Sequence, residues 1–299
     1  MKIFVTGGSG LLGGEVARLA FEQGYDVYSI YKEHPAAIGT AIKLDLTDKG
    51  VVDLIHKLKP EVVVHTAAYT DVDGCEANKE LARSVNAEAT KLLAVASADV
   101  GAHFIYVSTD YVFDGERGLY REDDTPNPIN YYGYTKLIGE EYVKQCAKSW
   151  CIARTSVIYG WGSSKLNFAT WLIQNLKQGR QVKVLIDQYV SPTLNTNLAH
   201  MLIEIFKRRL QGIIHTAGAS RVSRYEFAKK LAEIFDLNPN LIAPAKMSEL
   251  QWKARRPKDS SLDTSKCLCI IGEAKPMTLE DALKAMRRGA ALDKKRIQT

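Results

Sequence analysis

The sequence predicts a doubly wound α/β protein, a parallel sheet covered by helices on both faces with a smaller α/β lobe beside it. Three observations predict it. Short apolar runs alternate with amphipathic stretches through the first half of the chain. The glycine run Gly7-x-x-Gly10-x-x-Gly13 falls between the first apolar run and the first amphipathic stretch. Beyond Arg154 the alternation loosens into loops and separate helices.

In chain order, Ile3-Phe4-Val5-Thr6 reads as the first strand and Leu11 to about Gln23 as the first helix. Asp26 to Tyr31 is the second strand, about Val51 to Leu58 a helix, and Val62-Val63-Val64-His65 the third strand. Strand, helix, strand implies parallel pairing through a crossover. Lys79 to about Val100 continues as one long helix, followed by the strand His103–Val107, a helix from Tyr132 to about Lys148, and a strand near Cys151-Ile152-Ala153. Further on come loops around Gly160-Trp161-Gly162 and Asp187-Gln188, then helices at about Ala199–Arg209, Arg224–Phe235 and Leu279–Arg288. The expected division gives residues 1–155 plus about 184–212 to the sheet domain, and about 156–183 and 213–299 to the lobe. Lys294 to Thr299 read as a frayed end.

Composition narrows the function classes. The 299 residues carry 40 Lys and Arg against 34 Asp and Glu, with the cationic clusters scattered rather than gathered in one tract. A solvated surface is the expectation, and nucleic acid is not an expected partner. Cysteines 75, 146, 151, 267 and 269 are odd in number and lack the paired spacing of a zinc site, so free thiols in a reducing cytoplasm and no metal are expected. Met1-Lys2 runs into a short apolar stretch that stops at Thr6-Gly7, too short for a signal core or a membrane span.

The glycine run has a mechanical reading. After a strand and ahead of a helix, missing side chains let the backbone approach a pyrophosphate at the positive helix end, which points to a dinucleotide held by Gly7, Ser9, Gly10, Leu11 and Leu12. At the end of the second strand stands Tyr31-Lys32 rather than a carboxylate, which favours NADPH, with NADH as the alternative cofactor. Asp45-Leu46 follows the next apolar segment and is a candidate for the adenine edge.

Tyr-x-x-x-Lys occurs three times, as Tyr28/Lys32, Tyr132/Lys136 and Tyr225/Lys229, so context must choose. Only Tyr132/Lys136 follows the fourth read strand, on a helix where positions i and i+4 share a face. A neighbouring ammonium is expected to depress the phenol's pKa, each unit corresponding to about 1.4 kcal/mol. Ser108-Thr109 sits at the carboxyl edge of the sheet, where Thr109 can bond a substrate carbonyl or the pair can simply cap a turn. Asn86, a poor helix former inside the long helix, is either exposed or engaged in a buried polar contact.

Through Gly7-x-x-Gly10-x-x-Gly13, Thr109 and Tyr132/Lys136 the chain resembles the extended short-chain dehydrogenase/reductase superfamily, whose nucleotide-binding fold is the Rossmann sheet. His65-Thr66-Ala67-Ala68-Tyr69-Thr70, Ser108 through Gly115, Tyr132-Gly133-x-Thr135-Lys136, Arg154-Thr155-Ser156, Asp187-Gln188 with Pro192-Thr193, and Arg256-Pro257 with Leu262-Asp263 together resemble dTDP-4-dehydrorhamnose reductases. That resemblance implies reduction of the 4-keto group of a dTDP-bound 6-deoxyhexose by NADPH, a nucleotide-sugar substrate, no membrane partner, and a homodimer as a compatible assembly. It implies Tyr132 as proton donor, Lys136 as the cation lowering its pKa and holding the nicotinamide ribose, and Thr109 as the carbonyl's orienting contact. It adds Ala67, Ala68 and Tyr69 to the cofactor contacts, and Asp110, Trp161, Asn167, Phe168 and Arg256 to the substrate side, Arg256 toward the diphosphate. Core packing is an equal reading of Trp161 and Phe168. Leu11 departs from the glutamine that many of these reductases carry after the middle glycine. Two other resemblances remain open. The regulatory beta subunit of methionine adenosyltransferase is similar over the same length and binds a catalytic partner instead of turning over sugar. Epimerases and dehydratases of the superfamily would use a further acid beside Thr109, where Asp110 is followed by Tyr111 rather than Glu.

Overall fold

The computed structural model describes residues 1–162 and 165–296. Its main sheet has seven parallel strands: β1 (Lys2–Thr6), β2 (Asp26–Tyr31), β3 (Thr40–Lys43), β4 (Val62–His65), β5 (His103–Thr109), β6 (Ser149–Thr155) and an edge strand, Gly212–His215. The spatial order runs from the edge strand through β6, β5, β4, β1 and β2 to β3, the Rossmann arrangement that the sequence predicts. Alternate residues serve opposite faces. Ile3 and Val5 of β1 join Ile105 and Val107 of β5 in one core under helix α1 (Gly13–Glu22) and the helix Asn195–Arg208. Phe4, Phe104 and Tyr106 face a second core beneath α2 (Gly50–Leu58) and the helix Ala89–Val100.

The structure adds elements that the sequence reading lacks, among them the edge strand Gly212–His215 and the helix Phe168–Lys177, and it changes others. β3 intervenes between β2 and β4. Its Thr-Ala-Ile-Lys stretch lies mostly exposed beside β2 and carries no apolar run to be read. The long helix from Lys79 is not uniformly α-helical. Lys79–Arg83 and Ala89–Val100 are joined by a π-helical turn, Ser84–Glu88. The cause lies at Asn86, whose carbonyl accepts the Thr90 hydroxyl at 2.8 Å and the Tyr106 hydroxyl at 3.3 Å. Such single wide turns recur at functional sites.

Beyond β6 a separate apolar core forms around Leu172, Phe227, Leu231 and Leu283. It is built by the helices Phe168–Lys177, Arg224–Ile234 and Leu279–Arg296 and by the parallel pair Val182–Leu185 and Ile242–Ala245. Ser223 and Glu226 close a capping box on the helix Arg224–Ile234, which fixes its start. The frayed end expected from Lys294 onward is helical to Arg296, and residues 297–299 lie outside the described residues. All five cysteines are free thiols. Among the described residues no helix is long and apolar enough to cross a membrane.

Two buried histidines tie stability to pH. Burial pushes His103 down to about 4 and His215 down to about 3, and the outer ring nitrogen of each lacks a partner. Between those values and the ordinary histidine pKa near 6.5, the unfolded chain holds more protons than the folded one, so stability rises with pH across that window. The melting temperature is therefore expected to fall as pH is lowered from about 6.5 toward 4, and a His103→Asn, His215→Asn double variant to lose less over the same range, as read by thermal melts.

Candidate functional site

The chain reverses direction across the sheet at β1, whose neighbours are β2 on one side and β4 on the other. Open α/β sheets bind ligands at the crevice outside the carboxyl ends of such strands. Here the crevice opens over Gly7. That residue has φ +67°, and a Cβ on Gly13 would lie 2.2 Å from its carbonyl oxygen, so the loop folds back on itself only with glycine at both places. Ser9 and Gly10 are exposed at the loop's crest, Leu11 is half-buried and Leu12 is packed into the core. Leu12 is the N-cap of α1 and has no side-chain acceptor; the Gly14 N–H is taken by the Gly10 carbonyl at 3.0 Å, and with no side-chain cap the helix end suits phosphate oxygens.

The far wall is set by the segment after β4. Thr6 Oγ1 takes the backbone N–H of Thr66 at 3.1 Å and of Ala67 at 3.2 Å, while Asn86 holds Tyr69 through both its backbone groups, at 2.8 and 3.1 Å. Asn86 also donates to Thr135 Oγ1 at 3.1 Å and is 1% exposed, so of its two readings the buried polar contact is the one observed. Ala67, Ala68 and Tyr69 thus follow β4 on a strapped-down backbone. At the other end Lys32 pairs with Asp45 at 3.0 Å, both well exposed, which joins the tips of β2 and β3. Leu46 packs against the core beneath α2.

The helix Tyr131–Cys146 lies over β5 and is anchored at its start by Asn130, whose side chain accepts the Gly133 N–H at 2.8 Å and donates to the Arg255 carbonyl at 3.0 Å. A Cβ on Gly133 would fall 2.0 Å from the Tyr111 carbonyl, so the glycine after Tyr132 permits this close approach. Tyr132 is half-buried beside Tyr111, their ring centroids 6.0 Å apart. One turn on, Lys136 is 2% exposed, donates to the Val107 carbonyl at 2.8 Å and sits 4.0 Å over the Tyr106 ring. The other two Tyr-x-x-x-Lys pairs lie elsewhere: Tyr28 bonds Asp26, and Lys229 bonds the Pro239 carbonyl in the second lobe.

Protonation in this cluster differs from the sequence expectation. Burial pushes the Tyr132 phenol up, with the Thr109 hydroxyl working against it, instead of a lysine drawing it down. Burial also brings Lys136 down to about 7, opposed by the Glu140 carboxylate. The physical reason is desolvation, nearly complete at Lys136 and partial at Tyr132, which disfavours each charged form.

Thr109 and Asp110 come together with them. Thr109 Oγ1 accepts the Tyr111 N–H at 3.2 Å and donates to Asp110 Oδ1 at 3.0 Å, and Ser156 and Ser260 donate to Asp110 Oδ2 at 2.7 and 2.5 Å. Both oxygens of Asp110 are therefore held by protein hydroxyls. Burial raises its carboxyl pKa, with those hydroxyls and Arg224 opposing. Arg256 forms a bidentate pair with Asp73, at 3.2 and 3.0 Å. Phe168 packs against Trp171 and Phe227 and carries Arg224 over its ring at 5.1 Å. Asn167 and Trp161 are occupied locally: Asn167 caps the helix Phe168–Lys177 and donates to the Gly160 carbonyl at 2.8 Å, and Trp161 Nε1 donates to the Met286 carbonyl at 2.8 Å.

The residue missed by sequence reasoning is Arg224. Its Nε donates to Gln188 Oε1 at 3.2 Å, no salt bridge engages it among the described residues, and burial lowers its pKa while Tyr111 and Asp110 oppose that. A sequence signal existed. Arg224 opens its helix, where a cation opposes the macrodipole, and such a local conflict marks a site that serves something besides stability.

With this geometry in place, the comparisons are specific. Residues 1–290 match the family described as RmlD substrate binding domain. This chain belongs to that family, within the extended short-chain dehydrogenase/reductase superfamily of NAD(P)-dependent oxidoreductases. It is similar to the probable low-salt glycan biosynthesis reductase Agl14 of Haloferax volcanii, 39% identical with 96% of this chain and 97% of that protein covered. It is also similar to methionine adenosyltransferase 2 subunit beta of Xenopus tropicalis, 34% identical with 92% and 84% covered. Among solved structures, dTDP-4-dehydrorhamnose reductase from Bacillus anthracis in complex with NADP superposes with a TM-score of 0.87, at 32% identity, covering 96% of this chain and 98% of that one.

The Asn86 strap can be tested without any ligand. Replacement by alanine strands the Tyr69 backbone N–H and leaves its carbonyl only the weak Cys75 thiol donor at 3.4 Å, and Asn86→Ala is expected to cost about 1–3 kcal/mol of unfolding free energy in a urea titration.

Proposed function

We propose that this protein reduces the 4-keto group of dTDP-4-dehydro-6-deoxy-L-mannose to give dTDP-L-rhamnose, with NADPH as the preferred reductant and NADH as a second. The observation that carries the reading is a half-buried phenol, Tyr132, beside Thr109 at the carboxyl end of β5, with the buried Lys136 one turn along the same helix. NADPH, when bound, supplies the hydride. The glycine loop and the uncapped start of α1 fit its pyrophosphate, with Gly7, Ser9, Gly10, Leu11 and Leu12 on one wall and Ala67, Ala68 and Tyr69 on the other. Lys32 would favour the 2′-phosphate, tempered by its pairing with Asp45.

A phenol suits reduction. A ketone gaining negative charge needs a donor that still holds its proton at neutral pH, as a phenol with an ordinary pKa near 10 does; burial makes the phenolate left behind harder to form. As the Tyr132 O–H bond breaks, the proton passes to the sugar oxygen and a phenolate remains. Lys136 in its charged form stabilises that phenolate, and without it the desolvated anion would be costly. Thr109 directs its own proton at Asp110, so we assign proton donation to Tyr132 and an orienting contact to Thr109. The sheet domain would hold the cofactor and the second lobe the nucleotide-sugar. Arg224, free of carboxylate partners among the described residues, is the better diphosphate contact, while Arg256 is committed to Asp73 and braces the segment beside it.

Purified protein is expected to oxidise NADPH only when the dTDP-keto-sugar is present. Tyr132→Phe should lower kcat by about 10²–10⁴ while NADPH binding stays near wild type. Arg224→Leu should raise KM for the dTDP-sugar by about 10-fold or more with a smaller change in kcat. Absence of turnover on any dTDP-keto-sugar, together with tight association with a methionine adenosyltransferase, would replace this reading with a regulatory one.

A further inference from the structure

Below Lys136 lies a buried charge pair with no part in the chemistry so far. Tyr132, Lys136 and Glu140 are spaced four residues apart and so share one face of the helix Tyr131–Cys146. Glu140 is 0% exposed. Arg154 of β6 grips it with Nε on Oε1 at 2.9 Å and Nη2 on Oε2 at 2.7 Å, and Ser108 of β5 donates to Oε1 at 2.6 Å. The sheet fixes this triad, because Ser108 and Arg154 are register partners across β5 and β6. It fixes the lysine as well, because the carbonyl that receives Lys136 Nζ belongs to Val107, the residue before Ser108. Adjacent residues of one strand therefore anchor both Lys136 and Glu140.

A buried ion pair is weak evidence of stabilisation, since hydrophobic replacements often do as well. A fixed carboxylate one turn below a desolvated lysine has another consequence. We propose that Glu140 is a positioning residue for the reductase reaction, its clamped carboxylate keeping Lys136 charged inside a site that would otherwise neutralise it. This rests on the assigned role of Lys136 in the proposed reduction. The groups facing Lys136 are His65 from β4, Tyr106 from β5, and Tyr132 and Glu140 from its own helix, with Arg154 from β6 behind Glu140. His65 is fully buried and neutral, hydrogen-bonded to Thr6 and Thr90, and the two phenols are uncharged. Glu140 is the one anion among them.

The sign is definite. Charged Lys136 is present below its own pKa, so activity that needs it falls as pH rises through that value, and loss of Glu140 moves the fall to lower pH. The test reads Lys136 directly, by NMR titration of protein labelled with ¹³Cε-lysine, the resonance assigned with Lys136→Met, and in parallel records kcat against pH. Glu140→Gln is expected to move both the titration and the alkaline limb downward by about one pH unit, and Glu140→Asp to restore much of the shift. Because Glu140→Gln leaves Arg154 unpaired and can misfold, a Glu140→Leu, Arg154→Met double variant, checked by thermal melt and NADPH binding, should show a displacement of the same sign, smaller because the Arg154 cation leaves with the anion. Titration and limb both unmoved in a folded variant would overturn the proposal. A displaced lysine titration with no turnover even in wild type would leave the electrostatic role of Glu140 standing and remove the reductase reading instead.

Discussion

A lysine carried almost fully out of water, at the carboxyl end of β5, is the constraint that organises this protein. Its ammonium needs an acceptor, an aromatic face and an anion, and the structure supplies them as the Val107 carbonyl, the Tyr106 ring and Glu140. Each of these sits on the same two elements, β5 and the helix Tyr131–Cys146, so the packing of that helix on that strand sets where the lysine goes. The helix comes close enough only because Gly133 replaces a side chain against the Tyr111 carbonyl. Tyr132 then has one place to be, beside Thr109 and above the lysine.

The same excluded water gives the phenol its character. Burial disfavours the phenolate of Tyr132, so the charged lysine matters at the moment the proton leaves. The Asp110 carboxyl extends the arrangement sideways, gathering hydroxyls from Thr109, Ser156 and Ser260, and so ties β5 to the loop after β6 and to the segment that carries Arg256. Through those bonds the second lobe is stitched to the edge of the sheet at the point where a sugar would meet the phenol.

Much of this was legible in the sequence because it follows from local rules. The glycine run after Thr6 needs glycine for close backbone contact, and the β5 run His103 to Val107 is apolar on both faces because both faces are covered. Tyr132 and Lys136 could be chosen over two competing pairs by position alone. What could not be read was non-local. β3 is too exposed to leave an apolar signature, and the π-helical turn leaves the Asn86 carbonyl to the hydroxyls of Thr90 and of Tyr106, the latter distant in the chain. The direction of the Tyr132 shift depends on how much water the fold removes, which spacing does not reveal. The local hydrogen bonds of Asn167 at a helix cap and of Trp161 to the Met286 carbonyl are likewise invisible in the sequence. Arg224 was hidden because a single arginine at a helix start is unremarkable until its neighbours show that, among the described residues, no carboxylate forms a salt bridge with it.

The central claim is that the Tyr132 hydroxyl is the group facing the reacting oxygen. A crystal structure of the protein with NADP⁺ and dTDP-L-rhamnose tests it most directly. The account predicts the sugar's 4-oxygen within hydrogen-bond distance of Tyr132 Oη, with Thr109 beside it and Arg224 on the diphosphate. A sugar seated with that oxygen against another acid, and Tyr132 out of reach, would contradict it.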